Sequence, residues 1–179
     1  MYYATECTTP LGLMTLASDG ESLVGVWLGG QKYYGGTLAT EPLRNDHLPL
    51  FTVVKDWLQR YFAKVNPKIN ELPLAPVGTR FRQEVWQILL TIPYGETMTY
   101  GAIAKIMAQK TGKQKMSAQA VGGAVGHNPI SIIIPCHRVV GANGNLTGYA
   151  GGLAVKMALL KLEGVELSKF YVPKSGTAL

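Results

Sequence analysis

The stretch Ile132-Ile133-Ile134-Pro135-Cys136-His137-Arg138-Val139-Val140 sets one cysteine after a proline and before a histidine and an arginine, between two apolar runs. Those runs read as short buried strands. The Pro135–Cys136 step cannot continue an ordinary ladder between them, because proline has no N–H to donate. The pattern predicts a bend that holds Cys136 next to a base, His137, and a fixed positive charge, Arg138. A free cysteine with a pKa near 8.5 is only about 3% ionised at neutral pH, so a lowered pKa multiplies the reactive fraction. Cys136 is therefore expected to be a reactive thiolate and not a structural thiol.

The chain has 179 residues, 47% hydrophobic and 16% charged, which suits one or two globular domains. No window is apolar for the length of a membrane span, and Met1-Tyr2-Tyr3-Ala4-Thr5-Glu6-Cys7 lacks the regions of a signal peptide. A cytoplasmic protein with no membrane partner is expected, and in a reducing compartment Cys7 and Cys136 should both be free. The net charge of +6 is unevenly spread. Residues 1–78 carry six Lys/Arg against seven Asp/Glu, and residues 79–179 carry eleven against four. Such asymmetry points to a second half that meets a polyanion, with nucleic acid the first candidate.

Working outward, Tyr2 to Thr9, Gly12 to Ala17 and Leu23 to Leu28 read as strands separated by turn signals at Pro10-Leu11-Gly12 and Ser18-Asp19-Gly20-Glu21. Leu50, Phe51, Val54, Trp57, Leu58, Tyr61 and Phe62 recur at helical spacing. A stretch with Pro67, Pro73 and Pro76 reads as a linker, giving domains over 1–76 and 77–179. The fold class is α+β: a small N-terminal α/β domain with a short antiparallel sheet and a helix, then a mainly helical domain.

In the second domain, Thr79, Thr99 and Ser117 are candidate N-caps for three helices. The second and third, joined by the polar turn Lys110-Thr111-Gly112-Lys113-Gln114-Lys115, fit a helix-turn-helix, and Lys105, Lys110, Lys113 and Lys115 could bind phosphates. Gly122, Gly123 and Gly126 each cost up to about 1 kcal/mol inside a helix relative to alanine. They imply close approach of another backbone, from a neighbouring helix or from nucleic acid. Asn143-Gly144 signals a hairpin turn, and a last helix from about Leu153 is expected to bury Val155, Leu159, Leu160 and Leu162.

Taken together, Pro135-Cys136-His137-Arg138-Val139 resembles the active-site signature of O6-alkylguanine-DNA alkyltransferases, also called methylated-DNA–protein-cysteine methyltransferases. The resemblance extends through Phe81 to Trp86, Ile92 to Thr97, Thr99-Tyr100-Gly101, Ala120 to Ala124, Asn128-Pro129, Gly148 to Leu153, Lys156 and Leu159 to Glu163, nearly all of residues 79–164. The first domain is similar only loosely, through Thr9 to Gly12 and its strand-helix pattern. The resemblance implies a protein that flips O6-alkylguanine, and also O4-alkylthymine, out of duplex DNA and transfers the alkyl group irreversibly to itself. Flipping is required because the O6 substituent is otherwise boxed in by stacked bases.

The same resemblance implies the roles. Cys136 is the nucleophile, His137 its base through a bound water, and Glu163 the carboxylate that holds the histidine. Tyr100 assists proton transfer to the leaving guanine, and Asn128 ties the recognition helix to the cysteine loop. Arg138 and Pro135 hold that loop. Val139, Tyr149, Ala150 and Gly151 line the base pocket with Tyr100; the family often has serine where Ala150 stands. Thr99, Lys113, Lys115, Ser117, Ala118, Gln119 and Ala120 face DNA. At Gln119 well-studied members carry an arginine that fills the gap left by the flipped base, which implies weaker binding or slower flipping here. Alkylated double-stranded DNA is the partner, with no obligate protein partner, no cofactor and a monomer by default.

Three rivals stand beside this reading. A non-catalytic lesion-binding module of the same fold replaces the cysteine, which is intact here. A cysteine hydrolase places its histidine far from the cysteine in sequence. A zinc site needs a spacing that Cys7, His47, His127, Cys136 and His137 do not show, so no metal is expected.

Overall fold

Two tight turns lay down the first three strands. In the computed structural model, which describes residues 1–174, β1 (Tyr3–Thr9), β2 (Gly12–Ser18) and β3 (Leu23–Leu28) pair as an antiparallel meander. Gly12 closes the first turn at φ 110°, a value that favours glycine. β4 (Leu43–Arg44) adds in parallel to β1, giving the order β3-β2-β1-β4. The helix α1 (Pro49–Phe62) starts on a proline, which suits a first helical position. It buries Phe51, Val54, Trp57, Leu58 and Tyr61 at helical spacing and lies against β1.

These elements form one compact unit, Met1–Gly78 together with Pro129–Ile133; among the described residues a second unit comprises Thr79–Asn128 and residues 134–174. The proline-bearing stretch read as a linker is in fact tied into the first unit. Leu23 N donates to Pro73 O at 2.8 Å and Ala75 N to Leu23 O at 2.9 Å, because β3 is an edge whose backbone groups need partners. The same edge takes residues 129–131: Val26 N donates to Pro129 O at 2.8 Å and Ser131 N to Val26 O at 3.0 Å.

In the second unit, α2 (Arg80–Leu89), α3 (Tyr100–Thr111) and α4 (Ala118–Gly126) each open on a hydroxyl cap. Thr79, Thr99 and Ser117 accept from the backbone N–H of Arg82, Ala102 and Ala120, satisfying donors that a helix start leaves orphaned. Gly112 ends α3 in the left-handed conformation. The Trp86 indole donates to Ala124 O at 2.9 Å and pins α2 to α4. β5 (Met98–Thr99) pairs in parallel with β6 (Val139–Val140), and α5 (Leu153–Leu162) packs on the segment that carries the cysteine.

The structure corrects four local expectations. Ile132–Ile134 is a run of turns, not a strand: Ile132 takes φ 72°, Ile133 N donates to Ser131 O, and Ile134 O goes to the Asn128 side chain instead of a ladder. The Asn143-Gly144 turn forms, with both residues at positive φ, but it joins no hairpin, since β6 pairs with β5 and Asn145 with Tyr171. On α5 the buried positions are Lys156, Leu159 and Leu160, and Val155 and Leu162 are only half-buried. No neighbouring helix presses on Gly123 or Gly126, where an added Cβ would meet nothing within 4 Å.

Gly123 and Gly144 should therefore respond oppositely to alanine. Gly123→Ala should stabilise the protein by up to about 1 kcal/mol, because the helix gains propensity in open space. Gly144→Ala should destabilise it, because the residue sits at φ 80° and its Cβ would lie 2.5 Å from Lys169 O. Thermal melts of the two variants check this.

Candidate active site

Cys136, His137 and Arg138 form a single 3-10 turn between Pro135 and β6, and all three are buried. Pro135 leaves no N–H to satisfy at the entry, and Cys136 N closes back on Ile134 O at 2.8 Å. The Asn128 amide, just past α4, donates to Ile134 O at 2.8 Å and to Cys136 Sγ at 3.1 Å. One side chain thus joins the end of α4 to the cysteine loop and supplies a donor to the sulfur.

The expectation of a lowered Cys136 pKa is reversed. Burial is the largest influence and pushes the thiol up; the Asn128 amide and the Lys156 charge oppose it without prevailing. A thiolate in this site must therefore form by handing its proton to a neighbour.

The next residue in the chain is a histidine bound to a carboxylate. His137 Nε2 lies 2.6 Å from Glu163 Oε1, with neither side chain exposed. Burial pulls the His137 pKa down, against the pull of Glu163, so the imidazole is neutral at neutral pH and available as a base. Glu163 itself, the residue that closes α5, is pushed up by burial, yet hydrogen bonds and charge from His137 and Arg138 outweigh that and hold it at about 2. An ionised carboxylate only accepts, so the Nε2 proton belongs to the histidine and Nδ1 is its basic nitrogen.

Arg138 forks onto the same carboxylate, Nε to Oε2 at 2.8 Å and Nη2 to Oε1 at 3.0 Å, and sends Nη1 to Ile92 O at 2.6 Å. Its guanidinium also lies 5.8 Å from the centre of the Tyr94 ring. Gly95 N donates to Glu163 Oε2 at 3.1 Å, from a turn at φ 78° where a Cβ would come within 2.9 Å of Glu163 O. In the sequence the Ile92-Pro93-Tyr94-Gly95 turn shows itself only as part of the family resemblance; its grip on Glu163 is seen in the structure. The burial of Lys156 was missed as well, although its spacing from Leu159 and Leu160 marks one helix face.

Tyr100, in the first turn of α3, donates to Thr147 O at 3.3 Å and Gly148 O at 3.4 Å. Burial and the Cys136 charge push its phenol up, so it remains a proton donor. Val139 and Tyr149 are buried, and Ala150 and Gly151 half-buried. Ser117, Ala118, Gln119 and Ala120 are all exposed at the start of α4, as are Lys105, Lys110, Lys113 and Lys115 on α3 and the turn. Thr99 is half-buried and spends its hydroxyl on its cap. Among the described residues no group of three or more His, Cys, Asp or Glu could hold a metal, and no helix is long and apolar enough to cross a membrane.

A buried cysteine followed by a histidine–carboxylate pair, on a unit with two capped helices joined by an exposed lysine-bearing turn, is the arrangement of a cysteine protein with a DNA-binding domain. The chain belongs to the 6-O-methylguanine DNA methyltransferase family: it matches that family's ribonuclease-like domain over residues 1–76 and its DNA binding domain over residues 80–165. It is 41% identical over 165 residues to a methylated-DNA--protein-cysteine methyltransferase of Haemophilus influenzae, covering 91% of this chain and 87% of the relative. With the protein of that name from Methanosarcina acetivorans it shares 47% identity over 92% of this chain and 99% of the relative. The crystal structure of Mycobacterium tuberculosis OGT in complex with DNA superposes with a TM-score of 0.75 at 42% identity, covering 94% of each chain.

The Glu163 pKa carries a prediction about stability. Its folded value lies below the ordinary 4.5, so its contribution is fully present above that pH and is lost as pH falls toward about 2. Melting temperatures of the wild type and Glu163→Gln, measured across pH, should differ most near neutrality and converge over that acid window.

Proposed function

We infer that this chain is a DNA repair protein that takes the alkyl group from O6-alkylguanine in duplex DNA onto its own Cys136, once per molecule. The observation that carries the reading is the set Asn128–Cys136, His137–Glu163, Arg138–Glu163: a donor on the sulfur, a neutral base next to it in the chain, and a carboxylate held ionised on that base. Family membership and the DNA-binding domain match support DNA as the partner.

The reaction balances on these groups. The Cys136 proton passes to His137 Nδ1 through a water, and Glu163 stabilises the imidazolium that results. Sγ attacks the alkyl carbon of a base flipped into the pocket of Val139, Tyr149, Ala150 and Gly151. The S–C bond forms as the C–O6 bond breaks, and the electron pair leaves with guanine. Tyr100 supplies a proton to the departing ring, which then stands as ordinary guanine, and the proton held by His137 returns through water to Tyr100, so neither side chain keeps a charge. The product thioether has no leaving group that a neighbouring residue could expel, so the protein is consumed. O4-alkylthymine is a second substrate by the same chemistry. Residues 77–179 carry DNA binding and transfer, residues 1–76 are structural, and the protein works in the cytoplasm without an obligate protein partner.

The start of α4 faces the DNA through Ser117, Ala118, Gln119 and Ala120, and Lys113 and Lys115 meet phosphates with Thr99 nearby. The open space over Gly123 and Gly126 leaves room for a nucleic-acid backbone to come close. Gln119 fills the gap left by the flipped base without adding charge.

Intact mass after mixing with duplex DNA containing one O6-methylguanine tests the reading. A gain of one methyl in place of one hydrogen, mapped to Cys136 and absent in Cys136→Ala, is expected. Binding without a mass change would make the protein a non-catalytic lesion binder. In the same assay Gln119→Arg should transfer faster or bind tighter; no change in either would remove the role given to Gln119.

A further inference from the structure

Lys156 on α5 has none of its surface exposed. A buried ammonium is tolerated only where its donors are satisfied, and here all three are. Nζ donates to Val139 O at 2.5 Å, Thr147 O at 2.9 Å and Gly148 O at 3.2 Å. The first carbonyl belongs to β6, directly after Cys136-His137-Arg138. The other two lie just ahead of Tyr149 and the glycines of the base pocket. The Tyr100 hydroxyl donates to the same Thr147 and Gly148 oxygens, at the longer distances of 3.3 and 3.4 Å.

We propose that Lys156 is the positioning residue for Tyr100: by keeping the Thr147 and Gly148 carbonyls bonded, it frees the tyrosine hydroxyl to turn from the loop to the flipped base. The inference rests on the function proposed above. A carbonyl oxygen has two lone pairs, so ammonium and phenol can share it in the empty protein. When the phenol leaves, an oxygen without a second donor would be stranded in the interior, which is costly. With Lys156 in place each oxygen keeps a charge-assisted bond, and the loop keeps its position. The third bond, to Val139 O, ties that loop to the strand following the nucleophile, so the pocket wall and Cys136 move together. Burial pulls the Lys156 pKa down to about 8, while the Cys136 charge pulls it up. The side chain is thus mostly charged at neutral pH, and that charge also favours the thiolate.

A double-mutant cycle separates this from a purely structural role. Lys156→Met removes the donors at similar volume, Lys156→Gln keeps two amide donors, and Tyr100→Phe removes the hydroxyl. The readouts are the single-turnover rate of methyl transfer from O6-methylguanine duplex, the affinity for that duplex measured in Cys136→Ala backgrounds, and the melting temperature. Lys156→Met should slow transfer about tenfold or more with affinity within about twofold, and should slow a Tyr100→Phe protein by less than about threefold, the coupling expected of side chains that share partners. Lys156→Gln should retain part of the rate, and carries the same cycle if the methionine variant does not fold. Equal losses in both backgrounds, or a loss confined to affinity, would overturn the inference. No transfer by the wild-type chain would instead overturn the functional reading, and this inference with it.

Discussion

A carboxylate buried at the end of α5 is the constraint around which the second unit is arranged. Glu163 sits where a negative charge is unfavourable twice over, in the interior and at a helix C-terminus. It stays ionised because His137, both arms of the Arg138 fork and the Gly95 N–H converge on its two oxygens. Each of those partners is thereby fixed. The His137 ring is oriented with its basic nitrogen away from Glu163, and Arg138 is left one arm for Ile92 O. The turn after α2, the cysteine loop and the end of α5 are drawn to one point. Removing one partner of such a cluster leaves buried charge uncompensated, so it is all or nothing.

Burial of Cys136 follows from the same packing and has an opposite electrostatic sense. A dry pocket raises the thiol pKa, which guards a single-use sulfur against adventitious chemistry when no substrate is present. In the proposed reaction the proton is moved only with the help of a base whose conjugate acid is stabilised by a carboxylate already ionised. The Asn128 amide on Sγ and the Lys156 charge favour the anion once it forms. The site therefore holds the thiol in reserve, and the cost of ionising it is met by neighbours and not by solvent.

Much of this was legible from residue types in order. The three hydroxyl caps, the meander and the helical face of α1 follow from local rules that tertiary structure did not override. The Pro135-Cys136-His137-Arg138 run marked the bend that holds Cys136, and Glu163 was reached through the resemblance to a family. What could not be read depends on long-range partners. Ile132–Ile134 looked like a strand because three β-branched residues in a row fit one, yet Ile134 O is taken by a side chain six positions back and Ile132 lies in the left-handed region. The pairing of Ile130 with Val26 leaves no trace in periodicity. Lys156 was invisible as a core residue because a lysine between apolar neighbours normally extends to solvent. The sign of the Cys136 shift is not legible because its polar neighbours are in the sequence and its burial is not.

The most direct test of the central claim is the first-order rate of methyl transfer to Cys136 in Glu163→Gln, measured at neutral pH where the variant is shown to be folded and to bind O6-methylguanine duplex. If Glu163 sustains His137 as the base, transfer should fall by about a hundredfold or more, the scale of a lost acid–base contribution. A folded, DNA-binding Glu163→Gln protein that transfers at the wild-type rate would contradict the account.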